Sequence, residues 1–304
     1  MTLRHPIATA PIVLVRSRAE PLQGGRTLAR STRRLARFQL GIALAVFAAI
    51  LAAALFAPWL APADPTAISL GETFLAPSAA HWFGTDQLGR DILSRAIHGA
   101  SISLFIAACA VLLAGGLGTA LGIVGGYFGG AVDALVMRLA DIQLAFPAVI
   151  LALVLSGAIG VNIGNLILVL TLANWARFAR VTRGEVLSLK SRDFVLLSRL
   201  AGASRPWIML RHIAPNIVGT FVVLATLDVG SVIVLEATLS FLGLGIQPPT
   251  PSWGGMIAEG RGYLSNAWWV CVMPGAVLIV TVLAANLLGD ALRDRLNPVV
   301  PETW

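Results

Sequence analysis

The stretch Asp193–Asn216, DFVLLSRLAGASRPWIMLRHIAPN, is a polar segment rich in arginine within a very apolar chain. Its Gly-Ala-Ser sequence at residues 202–204 predicts a turn, and Pro215 predicts the end of a helix. We therefore expect two short helices that lie across a membrane surface. A segment of this shape suits the docking of a soluble partner.

On either side of this segment the composition is that of a membrane protein. Hydrophobic residues make up 57% of the 304 residues and charged residues 12%, and the mean hydropathy is +0.82. Soluble domains carry about 25% charged residues, so we predict an all-α integral membrane protein. Apolar runs long enough to cross a bilayer predict six helices, with five as the alternative. The predicted spans are residues 40–57, 101–124, 142–160, 163–176, 217–242 and 268–288.

The distribution of basic residues predicts the orientation. We expect the first apolar run to be retained, because it follows a long basic tail and lacks a clear cleavage site. If the six spans cross the membrane in alternating directions, the tails and loops on one side hold 19 of the 22 Lys and Arg residues. The loops on the other side hold three. Lys and Arg favour the cytoplasmic side, so both termini and the polar segment are predicted to be cytoplasmic.

The same basic residues bear on the expected partners. They concentrate at predicted membrane edges without a recognised nucleic-acid-binding motif. Anionic lipid is therefore the expected partner of the N-terminal arginines, with a specific cytoplasmic contact as the alternative, and no nucleic acid is expected.

Two acids stand out inside the fifth predicted span. Asp228 and Glu236 are eight residues apart, which predicts roughly one helix face. Acids in a bilayer are costly and usually face protein or water. They could form a proton relay or cation site, or they could pair with polar groups such as Asn286 and Asp290. We favour a bracing or path-lining role, because no further ionisable residues complete a relay.

Other local patterns concern the second span and the loop before it. Gly118, Gly122 and Gly126 recur every four residues, which predicts close helix packing, with a path-lining role as the alternative. In the loop at residues 58–100, Thr85 or Asp86 is predicted to cap a short amphipathic helix that leads into the span.

Catalytic motifs are absent from the sequence. Lys190 is the only lysine and lies in no Gly-rich phosphate-binding loop. His5, His81, His98 and His212 are scattered, without the spacing of a zinc or nucleophile motif. We expect no catalytic residue, metal or cofactor on this chain.

Four motifs occur together in one order: FGTDQLGRDILSRAIHGASISL from Phe83, GGYFGGAVDALVMRLADIQLAFP from Gly125, GASRPWIMLRHIAPN from Gly202 and EATLSFLGLGIQPPTPSWGGMI from Glu236. In this combination the chain resembles the permease subunits of peptide- and nickel-type ABC importers, from about Phe83 to Pro298. More narrowly it is similar to the second permease of a dipeptide or oligopeptide system.

The resemblance implies a type I importer permease with six transmembrane helices, in which the polar segment is the EAA loop that couples to a cytoplasmic ATPase. Gly202 and Pro215 match the family's spacing of thirteen residues, whereas the triplet position reads Leu196-Leu197-Ser198. The implied coupling residues are Arg199, Gly202, Ala203, Arg211, His212 and Pro215. Asp228 and Glu236 would line or brace the translocation path.

The resemblance also implies partners and a cargo. A homologous permease would complete a heterodimer in the bacterial inner membrane, two P-loop ATPases would hold ATP and Mg, and an external solute-binding protein would deliver di- or oligopeptides. Nickel chelates, opines or glutathione are alternative cargoes, and an ion-coupled secondary transporter is the alternative from another class.

This assignment divides the chain into four parts. They are a basic cytoplasmic tail at residues 1–38, the first span and external loop at 39–100, the core transmembrane domain at 101–290 with its coupling loop at about 177–215, and a cytoplasmic tail at 291–304.

Overall fold

A computed structural model describes residues 24–296 of the chain, with side chains from residue 39 onward. Residues 1–23 and 297–304 of the two predicted tails lie outside the described residues. Within the described part the chain is helical, and its only extended pairing is the single bridge between Thr85 and Asp91. The predicted all-α fold is confirmed.

Residues up to Phe38 and residues from Gln39 form two units, and apart from the first half of α1 all helices belong to the second. The helices are α1 Gly24–Leu55, α2 Ala57–Leu60, α3 Ile92–Phe128, α4 Gly130–Leu144, α5 Ala148–Ile159, α6 Ile163–Leu189, α7 Asp193–Leu200, α8 Arg205–Ile208, α9 Ala214–Phe241, α10 Trp253–Gly260 and α11 Trp269–Leu296.

Several of these helices are suited to a bilayer. Three of those described are long and apolar enough to cross it, namely Ile92–Phe128, Arg205–Phe241 and Trp269–Leu296. Helices α4 and α5 qualify as one broken span with a bend of 95°, and Gln39–Leu55 is a shorter apolar helix. Helix α6, which carries several arginines, is not among them. The membrane class is confirmed, and the count of six spans stays a prediction.

Helices α3 and α6 pack backbone to backbone along the predicted glycine ridge. A Cβ atom added to Gly118 would collide with the carbonyl oxygen of Trp175, and one added to Gly122 would lie 2.6 Å from the carbonyl oxygen of Ala179. A Cβ on Gly126 would lie 2.9 Å from a valine side chain of α6. The packing role of this ridge is confirmed, because side chains here would force the helices apart.

The short amphipathic helix predicted in the loop begins at Ile92, later than expected, and Asp91 caps it in place of Thr85 or Asp86. The Asp91 carboxylate accepts hydrogen bonds from the backbone N–H of Ser94 at 2.8 Å and from its hydroxyl at 2.7 Å. The carboxylate of Asp86 is engaged within the loop: its Oδ1 accepts hydrogen bonds from the backbone N–H groups of Leu88 and Arg90, and its Oδ2 contacts the side chains of Arg90 and Arg95. The predicted amphipathic helix is thus the first part of α3 and continues without a break to Phe128.

Pro215 does not end a helix. Residues 205–241 form one continuous helix, with a π-helical turn at Met209–Ile213 in which the Ala214 N–H bonds to the carbonyl of Met209, five residues back. Proline removes one hydrogen-bond donor and its ring crowds the preceding turn, and a wider π turn can accommodate both effects. The second short helix predicted in the polar segment therefore leads directly into α9.

Three helix boundaries in the structure also differ from the predicted ones. Helix α6 continues to Leu189, so residues 177–189 are helical and the polar connection begins at Lys190. Helix α3 begins before residue 101, and α11 continues past residue 290 to Leu296. An apolar run stops at a charged residue, and charged residues lie near the ends of these helices. The runs are therefore shorter than the helices.

A buried cluster of charges ties the loop before α3 to α10, at the end of α3 opposite α7. Arg90 lies 2.7 Å from Asp86 and 2.9 Å from Glu259, and Arg95 also contacts both acids. Asp86, Arg90 and Arg95 are buried. Buried charges are tolerated when they are paired in this way, so the cluster fixes the loop against the helices.

We predict that Gly118→Leu destabilises the protein, because the new side chain must occupy space held by the backbone of α6. Overpacking of this kind costs about 1–3 kcal/mol, and a lower Tm in detergent would reveal it. Gly116→Leu is the matched control, since a Cβ at Gly116 meets no atom within 4 Å. Equal Tm values for the two variants would contradict the packing assignment.

Asp86→Asn is predicted to cost about 3–5 kcal/mol, because it leaves Arg90 and Arg95 buried with only Glu259 to compensate two charges. Thermal unfolding and limited proteolysis of the loop at residues 61–91 measure the effect. Asp64→Asn, in the same loop at an exposed position, is expected to leave both unchanged. A wild-type Tm for Asp86→Asn would show that the cluster does not hold the loop.

Candidate functional site

The polar segment is built around a tight turn that ends α7. The Ala203 N–H bonds to the Ser198 carbonyl at 3.1 Å, and the Gly202 N–H bonds to the Arg199 carbonyl at 3.0 Å. Together they form the Schellman arrangement, which places a glycine in the left-handed region, and Gly202 has φ of +81°. A Cβ at Gly202 would meet no atom of this chain within 4 Å. Backbone conformation, and not crowding within the chain, therefore requires this glycine.

Below the turn, the segment rests on a small apolar core of its own. Val195, Ile208 and Ile213 are completely buried there and pack with Tyr127 at the end of α3 and with Ile217 at the start of α9. Ala203 packs against the same cluster. This core holds α7 and α8 against the ends of α3, α6 and α9.

Above the turn, the segment exposes a group of leucines. Leu200 is 84% exposed and Leu210 is 73% exposed, and Leu197 is also exposed. We call these three exposed leucines of the segment, Leu197, Leu200 and Leu210, the leucine platform. Sequence reasoning overlooked it, although the excess of leucine in a polar stretch was a usable signal.

The predicted coupling residues occupy different positions on this segment. The Arg199 guanidinium lies over the Tyr127 ring at 5.4 Å from its centroid. The His212 Nε2 lies 3.0 Å from the Ser198 hydroxyl, and the His212 ring packs edge to face on Trp207 at 4.9 Å. Both side chains thus help to hold the segment together. Their role toward an ATPase stays a prediction.

Arg211 and Pro215 complete the predicted set. Both are exposed, Arg211 within the π-helical turn and Pro215 in the first turn of α9. Gly202, Leu200 and Arg211 are therefore accessible to a partner that approaches α7 and α8.

Asp228 on α9 is paired with α6. Its carboxylate accepts a hydrogen bond from Arg177 at 2.9 Å, and its side chain is 2% exposed. No described hydrogen bond joins it to Asn286 or Asp290, the partners that the sequence suggested. The reason is that Arg177, predicted to lie in a loop, belongs to the middle of α6.

Glu236 faces a different helix. Its carboxylate accepts hydrogen bonds from Ser103 of α3 at 3.2 Å and from Ser240 at 2.8 Å. Eight residues advance an α-helix by about 80° beyond two full turns, which turns Glu236 toward α3 and Asp228 toward α6. The two acids do not form one patch, so the prediction of a shared face is wrong.

Two further arginines of α6 pair with α4. Arg180 lies 2.6 Å from Asp141, and Arg183 contacts both carboxylate oxygens of Asp133 at 2.5 and 2.6 Å. Arginine and carboxylate planes match in such two-point contacts. These arginines thus hold helices together, a role that a count of basic loop residues could not reveal.

Known proteins identify the family. Residues 118–300 match the family described as "Binding-protein-dependent transport system inner membrane component". The matched region includes the ridge on α3, the leucine platform and α9, and it covers more than half of the chain.

Individual relatives are similar over most of their length. The probable D,D-dipeptide transport system permease protein DdpC of Escherichia coli (strain K12) is 41% identical over 244 residues, 80% of this chain and 82% of the relative. The nickel transport system permease protein NikC of the same organism is 42% identical over 262 residues, 86% of this chain and 95% of the relative. The glutathione transport system permease protein GsiD of Escherichia coli O6:K15:H31 is 43% identical over 270 residues, 88% and 89% of the two chains.

These relatives are all permease subunits, and the match to the family spans the helices that carry the candidate site. The chain is therefore a member of the family of inner membrane components of binding-protein-dependent transport systems.

Proposed function

We propose that this chain is the non-catalytic permease subunit of an ATP-driven importer and forms half of the translocation path for di- or oligopeptides. The observation that carries the proposal is the leucine platform, which stands on a fixed turn in a member of this transport family. A surface of exposed leucines on a polar segment is typical of a binding site for another protein.

The continuity of α8 and α9 suggests how such a partner could act on the path. Because residues 205–241 are one helix, a partner that displaces the platform also displaces the part of α9 that carries Asp228 and Glu236. Rigid helices transmit displacements of this kind between two states. In this proposal two P-loop ATPases hold ATP and Mg and move the platform, while this chain supplies neither ligand nor catalytic residue to hydrolysis.

The remaining partners and the orientation belong to the same proposal. A homologous permease completes a heterodimer, an external solute-binding protein delivers the cargo, and both termini and the platform are cytoplasmic, as the distribution of Lys and Arg favours. Peptides are the preferred cargo because peptide systems recur among the relatives. Nickel chelates, opines and glutathione are the alternatives, and two of these correspond to named relatives.

An ion-coupled transporter is the less favoured proposal. Asp228 is neutralised by Arg177, and Glu236 is surrounded by hydroxyl groups on a different side of α9. This arrangement suits bracing better than a relay, which needs a connected series of titratable groups. Uptake that depends on a proton gradient and persists without ATP would favour the ion-coupled transporter.

Leu200→Asp is predicted to prevent copurification of the ATPase subunits and to abolish ATP-dependent uptake, because a charge replaces the most exposed apolar contact of the platform. The change should not affect folding, since exposed substitutions alter stability by about 0.5 kcal/mol or less. Leu70→Asp, at an exposed leucine in the loop before α3, is the control and should retain the ATPases. Normal copurification with Leu200→Asp would refute the docking assignment.

Substitutions of Gly202 separate the conformation of the turn from contact with the partner. Gly202→Val should cost about 1–2 kcal/mol and impair uptake, because a β-branched residue is strained at positive φ. Gly202→Asn should retain much of the activity, since Asn tolerates this region. ATP-dependent uptake per inserted protein is the measurement.

Gly184→Ala is the control for these variants, because Gly184 is helical and a Cβ there meets no atom within 4 Å. Loss of uptake in both Gly202 variants would indicate close approach by the ATPase at this position. Normal uptake in Gly202→Val would show that the turn is not needed for coupling.

A further inference from the structure

Arg177 combines a deep position with high exposure. Its side chain is 58% exposed, whereas that of its partner Asp228 is 2% exposed. Asp228 lies near the middle of the apolar run at residues 217–242, in a helix that is long and apolar enough to span a bilayer. The Arg177 guanidinium, 2.9 Å from Asp228, is therefore close to the middle of the membrane.

This exposed face cannot be in contact with lipid. A charged side chain at the bilayer centre is strongly unfavourable in hydrocarbon and almost always faces the interior of a bundle or water. The next pair along α6, between Arg180 and Asp141, repeats the pattern, since these side chains are 52% and 59% exposed. The face formed by α4 and α6 at this depth must meet water or a polar protein surface.

The Arg177 guanidinium has donors to spare. It makes one hydrogen bond to Asp228, from Nη1 to Oδ1, and arginine carries five N–H groups. Asp228 lies behind it in the protein, so the remaining donors are on the exposed side.

Nearby acids do not compete for these donors. Asp141 is engaged by Arg180, and Glu236 faces α3. The exposed group presented to a solute at this position is therefore a guanidinium, whose charge is balanced from behind by Asp228, and not a carboxylate. A planar guanidinium with free donors is well suited to a carboxylate.

We propose that Arg177 lines the aqueous translocation path and binds the carboxylate of the passing solute, with Asp228 as the residue that positions it. This inference rests on the proposed import function and adds the chemistry of recognition within the path. A peptide with a free C-terminal carboxylate is the solute class that fits.

The test uses the complete transporter in proteoliposomes with ATP. Initial uptake is measured for one peptide and for its C-terminal amide, a pair chosen because the binding protein holds both. In Arg177→Gln/Asp228→Asn, which removes both charges, the carboxylate-to-amide ratio of uptake should fall about tenfold relative to wild type, the factor for one charge-assisted hydrogen bond. Any preference of the binding protein is common to both transporters and cancels in this comparison.

Two single variants give intermediate cases. Arg177→Lys keeps a positive charge, and Asp228→Asn keeps the guanidinium without its positioning partner. Each should therefore lose only part of the carboxylate-to-amide ratio and retain more of it than the double variant. An unchanged ratio in the double variant would overturn the inference. If wild-type transporter carries neither peptide with ATP, the proposed import of peptides fails instead.

Thiol labelling tests the position independently of transport. Arg177→Cys is combined with Asp228→Asn in a chain whose half-buried Cys109 and Cys271 are replaced by alanine, and the assembled complex is treated with a charged methanethiosulfonate. Labelling at residue 177 is expected if this face is in contact with water. Absence of labelling in a complex that retains its ATPases would place Arg177 in a protein interface and overturn the inference.

Discussion

The close approach of α3 and α6 is the constraint on which the rest of the described structure depends. Gly118 and Gly122 leave no room for a side chain between the two backbones, so neither helix can shift or rotate without a collision. In lipid, where apolar side chains gain nothing by leaving one apolar medium for another, such tight packing is a principal source of helix association. It fixes the rotation of α6, and with it the direction of every arginine on that helix.

That fixed rotation connects the candidate coupling surface with the candidate path. Helix α6 directs Arg177 toward Asp228 on α9 and Arg183 toward Asp133 on α4, and its end leads into α7 within a few residues. The small core below the turn joins α7 and α8 to α3 and α9. A force on the leucine platform would therefore act on the helices that carry the charged pairs.

Much of this arrangement could be predicted from the sequence, and the exceptions share a physical origin. Composition, the spacing of Gly118 and Gly122 and the turn at Gly202 depend on local chemistry, and the structure bears them out. The cap at Asp91 and the helix through Pro215 depend on competing contacts. The carboxylate of Asp86 is engaged by loop backbone N–H groups and by arginines, and a π turn accommodates the proline. Arg177 is predicted to lie in a loop because its charge ends the apolar run that marks α6 in the sequence. Its partner Asp228 on α9 is remote in sequence.

We propose that ATPase subunits engage this permease at the leucine platform. A photoreactive amino acid at position 200 of the full transporter in native membranes tests it directly, with the exposed position 70 as a matched site. We expect a covalent adduct between position 200 and a P-loop ATPase, with none from position 70. An assembled, transport-active complex that yields no ATPase adduct at position 200 would contradict it.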